Sequence, residues 1–339
     1  ISELLEVAGQ SQDSLLSLRL GYTETQGDPV LREAIAEHYE HCCADDVVVT
    51  NAPQEAIFLT MQAVLKPGDR VVVQTPCYQS LLEVAHSMGC NVVQWPAQET
   101  ASGWQFDLDG LPQLLDGAQL LVLNAPHNPT GYRPSESERK HIAEIAQVAG
   151  TRLFSDEMYR GLEHDPTEAL QPEAARSERA ISLWGGSKSF GLPGLRIGWL
   201  VCRDHAVIDE VIRLKDYTTM CSSGPGEFLM LAGLKASQTL FARNRALIAE
   251  NEARVRAFAT ARADDYTWRA PAAAPVGLLE VRNGLATELC DQVRCEADIL
   301  AVPSTLFDMP DKHVRIGLGR AGVAKTMDQW EAWETRRRK

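Results

Sequence analysis

Leu120-Leu121-Val122-Leu123-Asn124-Ala125-Pro126-His127-Asn128-Pro129-Thr130-Gly131 is a short apolar run that ends in a polar, proline-bearing turn. Its four leading residues show no alternation, which fits a strand buried on both faces. Val47 to Val49, Val71 to Val73, Leu153-Phe154, Ile181 to Leu183 and Ile197 to Cys202 are runs of the same kind. Amphipathic stretches lie between them, at Val30 to Tyr39, Glu55 to Leu65 and Glu136 to Val148. Asp28 is a cap before Pro29, which suits a first helical position. Ser135 with Glu138 three residues on is a capping box. Strand–helix alternation of this kind gives an α/β fold with a mostly parallel central sheet flanked by helices.

The last third of the chain changes character. Phe241 to Ala261 reads as one long helix, broken by the Pro/Ala-rich segment Ala270 to Pro275. A strand at Leu278 to Val281, a helix at Leu285 to Arg294, a strand at His313 to Gly317 and a closing helix follow. This predicts a smaller α+β unit.

The chain has 339 residues, 45% of them hydrophobic, enough for about two domains. A net charge of −13 argues against a nucleic-acid partner, which needs a basic surface. The basic tail Arg336 to Lys339 reads as a solvated end. No run has the length of a membrane span, and Ile1 to Leu20 lacks the pattern of a signal peptide. The start at Ile1 rather than Met leaves room for missing N-terminal sequence. Eight cysteines without a C-x-x-C pair read as reduced thiols of a cytoplasmic protein. Eight scattered histidines give no metal-ligand spacing, so no metal is expected.

Parallel α/β sheets place their ligands at the carboxyl ends of strands. The chemically able residues stand at such ends. Asn128 follows the Leu120 strand, Asp156 ends the Leu153 strand, and Lys188 follows the Ile181 strand. Arg196 comes eight residues after Lys188, in Gly194-Leu195-Arg196-Ile197-Gly198-Trp199. Singly, each has a plain structural role as a solvated lysine, a helix cap, a turn or an ion pair. Together they suggest a shared cleft.

On His127-Asn128-Pro129-Thr130-Gly131, Ser155-Asp156-Glu157-Met158-Tyr159 and Ser187-Lys188-Ser189-Phe190-Gly191 through Trp199, the chain resembles the class I/II aminotransferases, the fold-type I pyridoxal-phosphate (PLP) enzymes. The resemblance runs from about Gly21 to about Gly319. It implies a large PLP-binding domain over 22–225 and a small domain made of 1–21 and 226–339. It implies Lys188 as the residue that holds the cofactor as a Schiff base and then moves protons. Asp156 would partner the pyridine nitrogen, and Asn128 and Tyr159 would donate to the phenolic oxygen. Arg196, Ala52, Gln54 and Ser187 would hold the phosphate, and Tyr78 would stack on the ring. Tyr22, ahead of Gly27, would reach the phosphate of a neighbouring subunit, which implies a homodimer with shared sites. Arg315, with Asn128, would bind the substrate carboxylate.

Two positions depart from the pattern. Pro53 stands where the family has glycine in the phosphate cradle and removes an N–H donor. Gly185 stands where a hydroxyl residue is common.

The function implied is an aminotransferase working between an L-amino acid and a 2-oxo acid. A local similarity around Gly191 to Trp199 and Lys215 to Thr218 points instead to the capreomycidine-synthase branch, whose enzymes eliminate and cyclise. A third reading is a non-catalytic, aminotransferase-like sensor domain of a regulator. No basic helix-turn-helix segment stands ahead of Tyr22 to favour it.

Overall fold

The valine-rich runs pair as strands. In the computed structural model, which describes residues 1–101 and 103–337, eight strands form one sheet. They are β1 (Val47–Thr50), β2 (Arg70–Thr75), β3 (Asn91–Thr100), β4 (Gly103–Phe106), β5 (Ala118–Asn124), β6 (Arg152–Asp156), β7 (Ala180–Gly185) and β8 (Gly198–Cys202). Their order is β1-β8-β7-β6-β5-β2-β3-β4. The neighbours from β7 through β3 are parallel, whereas β8 runs against both β1 and β7, and β4 runs against β3.

Both faces of the sheet are covered, as the unbroken apolar runs require. Val71 and Val73 face the helices Pro53–Val64, Ser80–Ser87 and His205–Lys215. Val72 between them faces the opposite layer, where Ile142 and Ala146 of the helix Glu136–Ala149 pack. The caps form as the sequence predicts. Asp28 accepts from Leu31 N at 3.1 Å, and Ser135 and Glu138 close a reciprocal capping box.

A second sheet holds β9 (Tyr266–Trp268), β10 (Val276–Val281), β11 (Val302–Pro303) and β12 (His313–Gly317), all antiparallel, in the order β11-β12-β10-β9. The helices Ala286–Ala297 and Val323–Arg337 pack on it. The long helix Ser237–Ala261 serves both units. Leu240 and Phe241 join Trp184, Phe190 and Trp199 beside the large sheet, while Ile248, Val255 and Phe258 join the small sheet. The preceding helix Gly224–Lys235 packs its Met230 and Leu234 on the large unit, and Leu5 of the N-terminal segment packs on its Leu229 and Ala232. We propose that the two units divide along the helix Ser237–Ala261 rather than at residue 225.

Among the described residues no helix is long and apolar enough to cross a membrane, and no cluster of His, Cys, Asp or Glu is placed to hold a metal. Arg338 and Lys339 of the basic tail lie outside the described residues.

Candidate active site

The carboxyl ends of β5, β6 and β7 lie side by side, with Asn124 opposite Asp156 and Asp156 opposite Leu183 in register. Asn124 ties this edge together. Its Nδ2 donates to Asp156 O at 3.0 Å, and its Oδ1 accepts from Asn128 N at 2.7 Å. The turn that carries Asn128 is thereby fixed against the end of β6. Above this edge opens a cavity of about 360 Å³. Asn128, Asp156, Tyr159, Lys188 and Arg196 all line it, as do Tyr78, Gln54, Ser187 and Arg315.

Asp156 is buried at 5% exposure, and burial pushes its carboxyl up to about 7. The Met158 N–H donates to its Oδ1 at 3.0 Å and opposes the rise, as does the charge of Lys188. Lys188 is shifted the other way. Burial holds its ammonium below the usual lysine range, the charge of Arg315 adds to this, and Asp156 opposes it. Burial likewise raises the Tyr159 phenol, against the pull of Arg315. Arg315 projects from β12 of the small sheet, and its Nη1 donates to Asn128 Oδ1 at 3.2 Å. Its Nε is buried and has no partner.

Tyr78 and Gln54 form one wall. The Tyr78 hydroxyl donates to Gln54 Oε1 at 3.0 Å, and Gln54 Nε2 donates to Ser80 Oγ at 2.7 Å. Arg196 caps the turn Pro193–Leu195 with φ 56° and donates from Nη1 to Pro193 O at 3.0 Å.

Residues 3–329 match the model of the family described as aminotransferase class I and II. The chain belongs to that family. The family's cofactor is pyridoxal phosphate, and it is the cofactor of this chain.

Among the relatives, capreomycidine synthase of Streptomyces vinaceus is 30% identical over 303 residues, covering 86% of this chain and 74% of that one. An aspartate aminotransferase of Musicola paradisiaca is 30% identical over 224 residues, 63% of this chain, so that the match spans about half (55%) of that enzyme's length. A solved structure of a PLP-dependent cyclase, OrfR, superposes with a TM-score of 0.91 at 28% identity, over 99% of this chain and 90% of that one.

The site fits the cofactor in its donor set. An amine, a buried carboxylate with Oδ2 left open, a phenol and two guanidiniums face one cavity, and the unpartnered Arg315 Nε awaits an acceptor. At the cradle the fit is sparser. The Asn51 N–H is taken by Glu55 Oε2 at 2.6 Å, and the Ala52 N–H by Thr50 O at 3.0 Å. Pro53 has no N–H. The structure thus does not bring an Ala52 donor to the cavity, and Gln54 remains as the open position at this helix start. Ala52 itself sits at φ 79° and ψ 156°, a region that only glycine enters without strain. Gly185 cannot carry a hydroxyl because a Cβ there would lie 2.9 Å from the Gly198 Cα. Tyr22 does not line the cavity of its own chain and is 87% exposed.

Sequence reasoning missed Asn124 and Met158, which hold Asn128 and Asp156 in place. Both lay inside the quoted motifs. Asn124 was readable as the last strand residue before the turn, but the Met158 contribution is a backbone N–H and leaves no side-chain signal.

Proposed function

We propose that this chain is a PLP-dependent aminotransferase that moves an amino group between an L-amino acid and a 2-oxo acid. The observation that carries the reading is the meeting of Lys188, Asp156 and Arg315 on one cavity. Arg315 binds the substrate α-carboxylate through two parallel N–H donors. Asn128 Oδ1 orients that guanidinium and leaves its other face for the ligand. Asp156 would hold a proton on the ring nitrogen of pyridoxal phosphate, which when bound would supply an electron sink for the α-carbon. Lys188, whose ammonium burial holds below the usual lysine range, would take the α-proton and return it. Tyr159 and Asn128 would donate towards the phenolic oxygen. Tyr78 would cover the ring, and Arg196, Gln54 and Ser187 would hold the phosphate.

Tyr22, together with the exposed Leu16 and Leu20, belongs to a surface that suits a second copy, and a homodimer completes the phosphate site in this reading. All eight cysteines are free thiols, which supports a reducing, cytoplasmic setting.

A second reading is β-elimination or cyclisation. The match to capreomycidine synthase over 86% of the chain, and the likeness to a PLP-dependent cyclase, favour it. The same residues serve both, because each reaction begins with loss of the α-proton to Lys188. Incubating the loaded protein with an amino acid and 2-oxoglutarate separates them. Formation of glutamate supports transamination. Consumption of the amino acid without glutamate supports elimination.

A further inference from the structure

A second cavity of about 370 Å³ adjoins the first. Two residues form the join. Phe307 lines the second cavity, and the Arg315 guanidinium lies 5.1 Å over its ring. Cys77 also lines it, and the carboxylates of Asp156 in the first cavity and Asp308 in the second both act on its thiol. On β12, His313 and Arg315 are two residues apart, so they share a face of the strand. A ligand gripped by Arg315 therefore has its next open space beside His313.

His313 gives this cavity the character of a built site. It is 5% exposed, and neither ring nitrogen has a hydrogen-bond partner. The Glu99 Oε1 is 3.6 Å from its Nε2, too long for a hydrogen bond. Buried polar atoms are ordinarily satisfied, so two open nitrogens on one buried ring call for a ligand or a water. Burial lowers its proton affinity against the opposing carboxylates of Glu99 and Glu280, and a neutral ring keeps one acceptor nitrogen. Acceptors also dominate the surroundings. Among the described residues the Asp308 carboxylate has no hydrogen bond or ion pair, and Arg269 Nη1 bonds the same Glu99 Oε1 that faces His313. Lys312 stands on the rim, exposed, but the charges acting on Cys77 at the join are all carboxylates. Trp104 stands edge-on to His313 at 5.6 Å and, with Phe307, gives the cavity apolar walls.

We propose that this second cavity receives the substrate's side chain, and that His313 and Asp308 select one ending in N–H donors, an amine, a guanidine or a carboxamide. The inference rests on the function proposed above, since it takes Arg315 as the carboxylate anchor. A terminal carboxylate would face the unpaired Asp308 carboxylate, and a plain alkyl chain would leave His313 unsatisfied.

The test uses the PLP-loaded protein and reads amino-acid binding from the change in cofactor absorbance. L-Lysine, L-arginine and L-glutamine are compared with L-norleucine and L-glutamate. At least one of the first three is expected to bind about tenfold more tightly than norleucine, the scale of one or two buried hydrogen bonds. Asp308→Asn, at an exposed position, and His313→Phe should each bring that ratio towards one. Equal or preferred binding of norleucine or glutamate overturns the subsite, as does loss of affinity for all five alike in both variants. If no amino acid perturbs the bound cofactor, the proposed function falls and the subsite with it.

Discussion

Arg315 Nη1 and Asn128 Oδ1 are 3.2 Å apart and 187 residues apart in sequence, and their hydrogen bond joins the small sheet to the large one across the cavity. The proposed substrate clamp, Arg315, is therefore positioned by the turn that also carries the His-Asn-Pro-Thr-Gly motif.

Arg315→Lys should raise the KM for the amino acid by about 10- to 100-fold, with a smaller change in kcat. Lysine keeps the charge but loses the paired donors and the bond to Asn128. Steady-state kinetics over a range of amino-acid concentrations checks this. An unchanged KM would remove Arg315 from the substrate site.

Lys188→Ala should lower turnover by at least about 10²–10⁴-fold, the scale of a positioned proton-transfer group. Borohydride reduction of the loaded parent protein should fix the cofactor covalently on the peptide that carries Lys188, as read by mass spectrometry. The variant should show no such adduct. A covalent adduct that survives the substitution, or appears on another lysine, refutes the assignment.

The strands around these residues were legible because burial on both faces demands unbroken apolar runs, as at Leu120 to Leu123 and Val71 to Val73. The edge was not. β3 is largely half-exposed and carries Asn91, Gln94, Pro96 and Gln98, so no apolar run marks it. β9 and β11 are three and two residues long, too short for any period to show. β8 was visible as a strand, but its antiparallel pairing with β1 and β7 depends on tertiary contact. At the site, Lys188, Asp156 and Asn128 stood out because each ends or follows a buried strand. The Arg315 bond to Asn128 and the open nitrogens of His313 arise only when the two sheets meet.

The cradle offers a stability test. Ala52 holds φ 79°, and such backbone strain costs about 1–3 kcal/mol. Ala52→Gly relieves it, offset by about 0.4–1 kcal/mol of extra freedom in the unfolded chain. A net gain of about 1 kcal/mol is expected in denaturant unfolding of the cofactor-free protein. Gly198→Ala should do the opposite. Its Cβ would lie 2.6 Å from Pro53 N and 2.9 Å from Ala52 C, backbone atoms that cannot yield. Displacing the helix start should weaken cofactor affinity in an equilibrium titration. A variant that binds as the parent does would show that the phosphate is held elsewhere.

The buried carboxyl of Asp156 sets a pH dependence for the cofactor-free protein. Burial pushes it up to about 7, whereas in the unfolded chain it titrates near the ordinary value of about 4. Between these values the folded state keeps a proton that the unfolded state has lost. The folded state thus binds more protons, and stability falls as pH rises through the window, then levels off above about pH 7. One such group contributes a slope of about 1.4 kcal/mol per pH unit. Glu227, pushed up to about 7 by burial, and the buried Glu163 and Glu173 act in the same direction, so the parent's slope is a sum. The decisive quantity is the difference between the parent and Asp156→Asn, measured by denaturant unfolding across the window. Asp156→Asn should be shallower by about the one-group slope. Loading the parent with cofactor should flatten it too, because a protonated ring nitrogen gives the carboxylate a partner. If the two cofactor-free proteins show the same slope, Asp156 is not held protonated by burial in the cofactor-free fold.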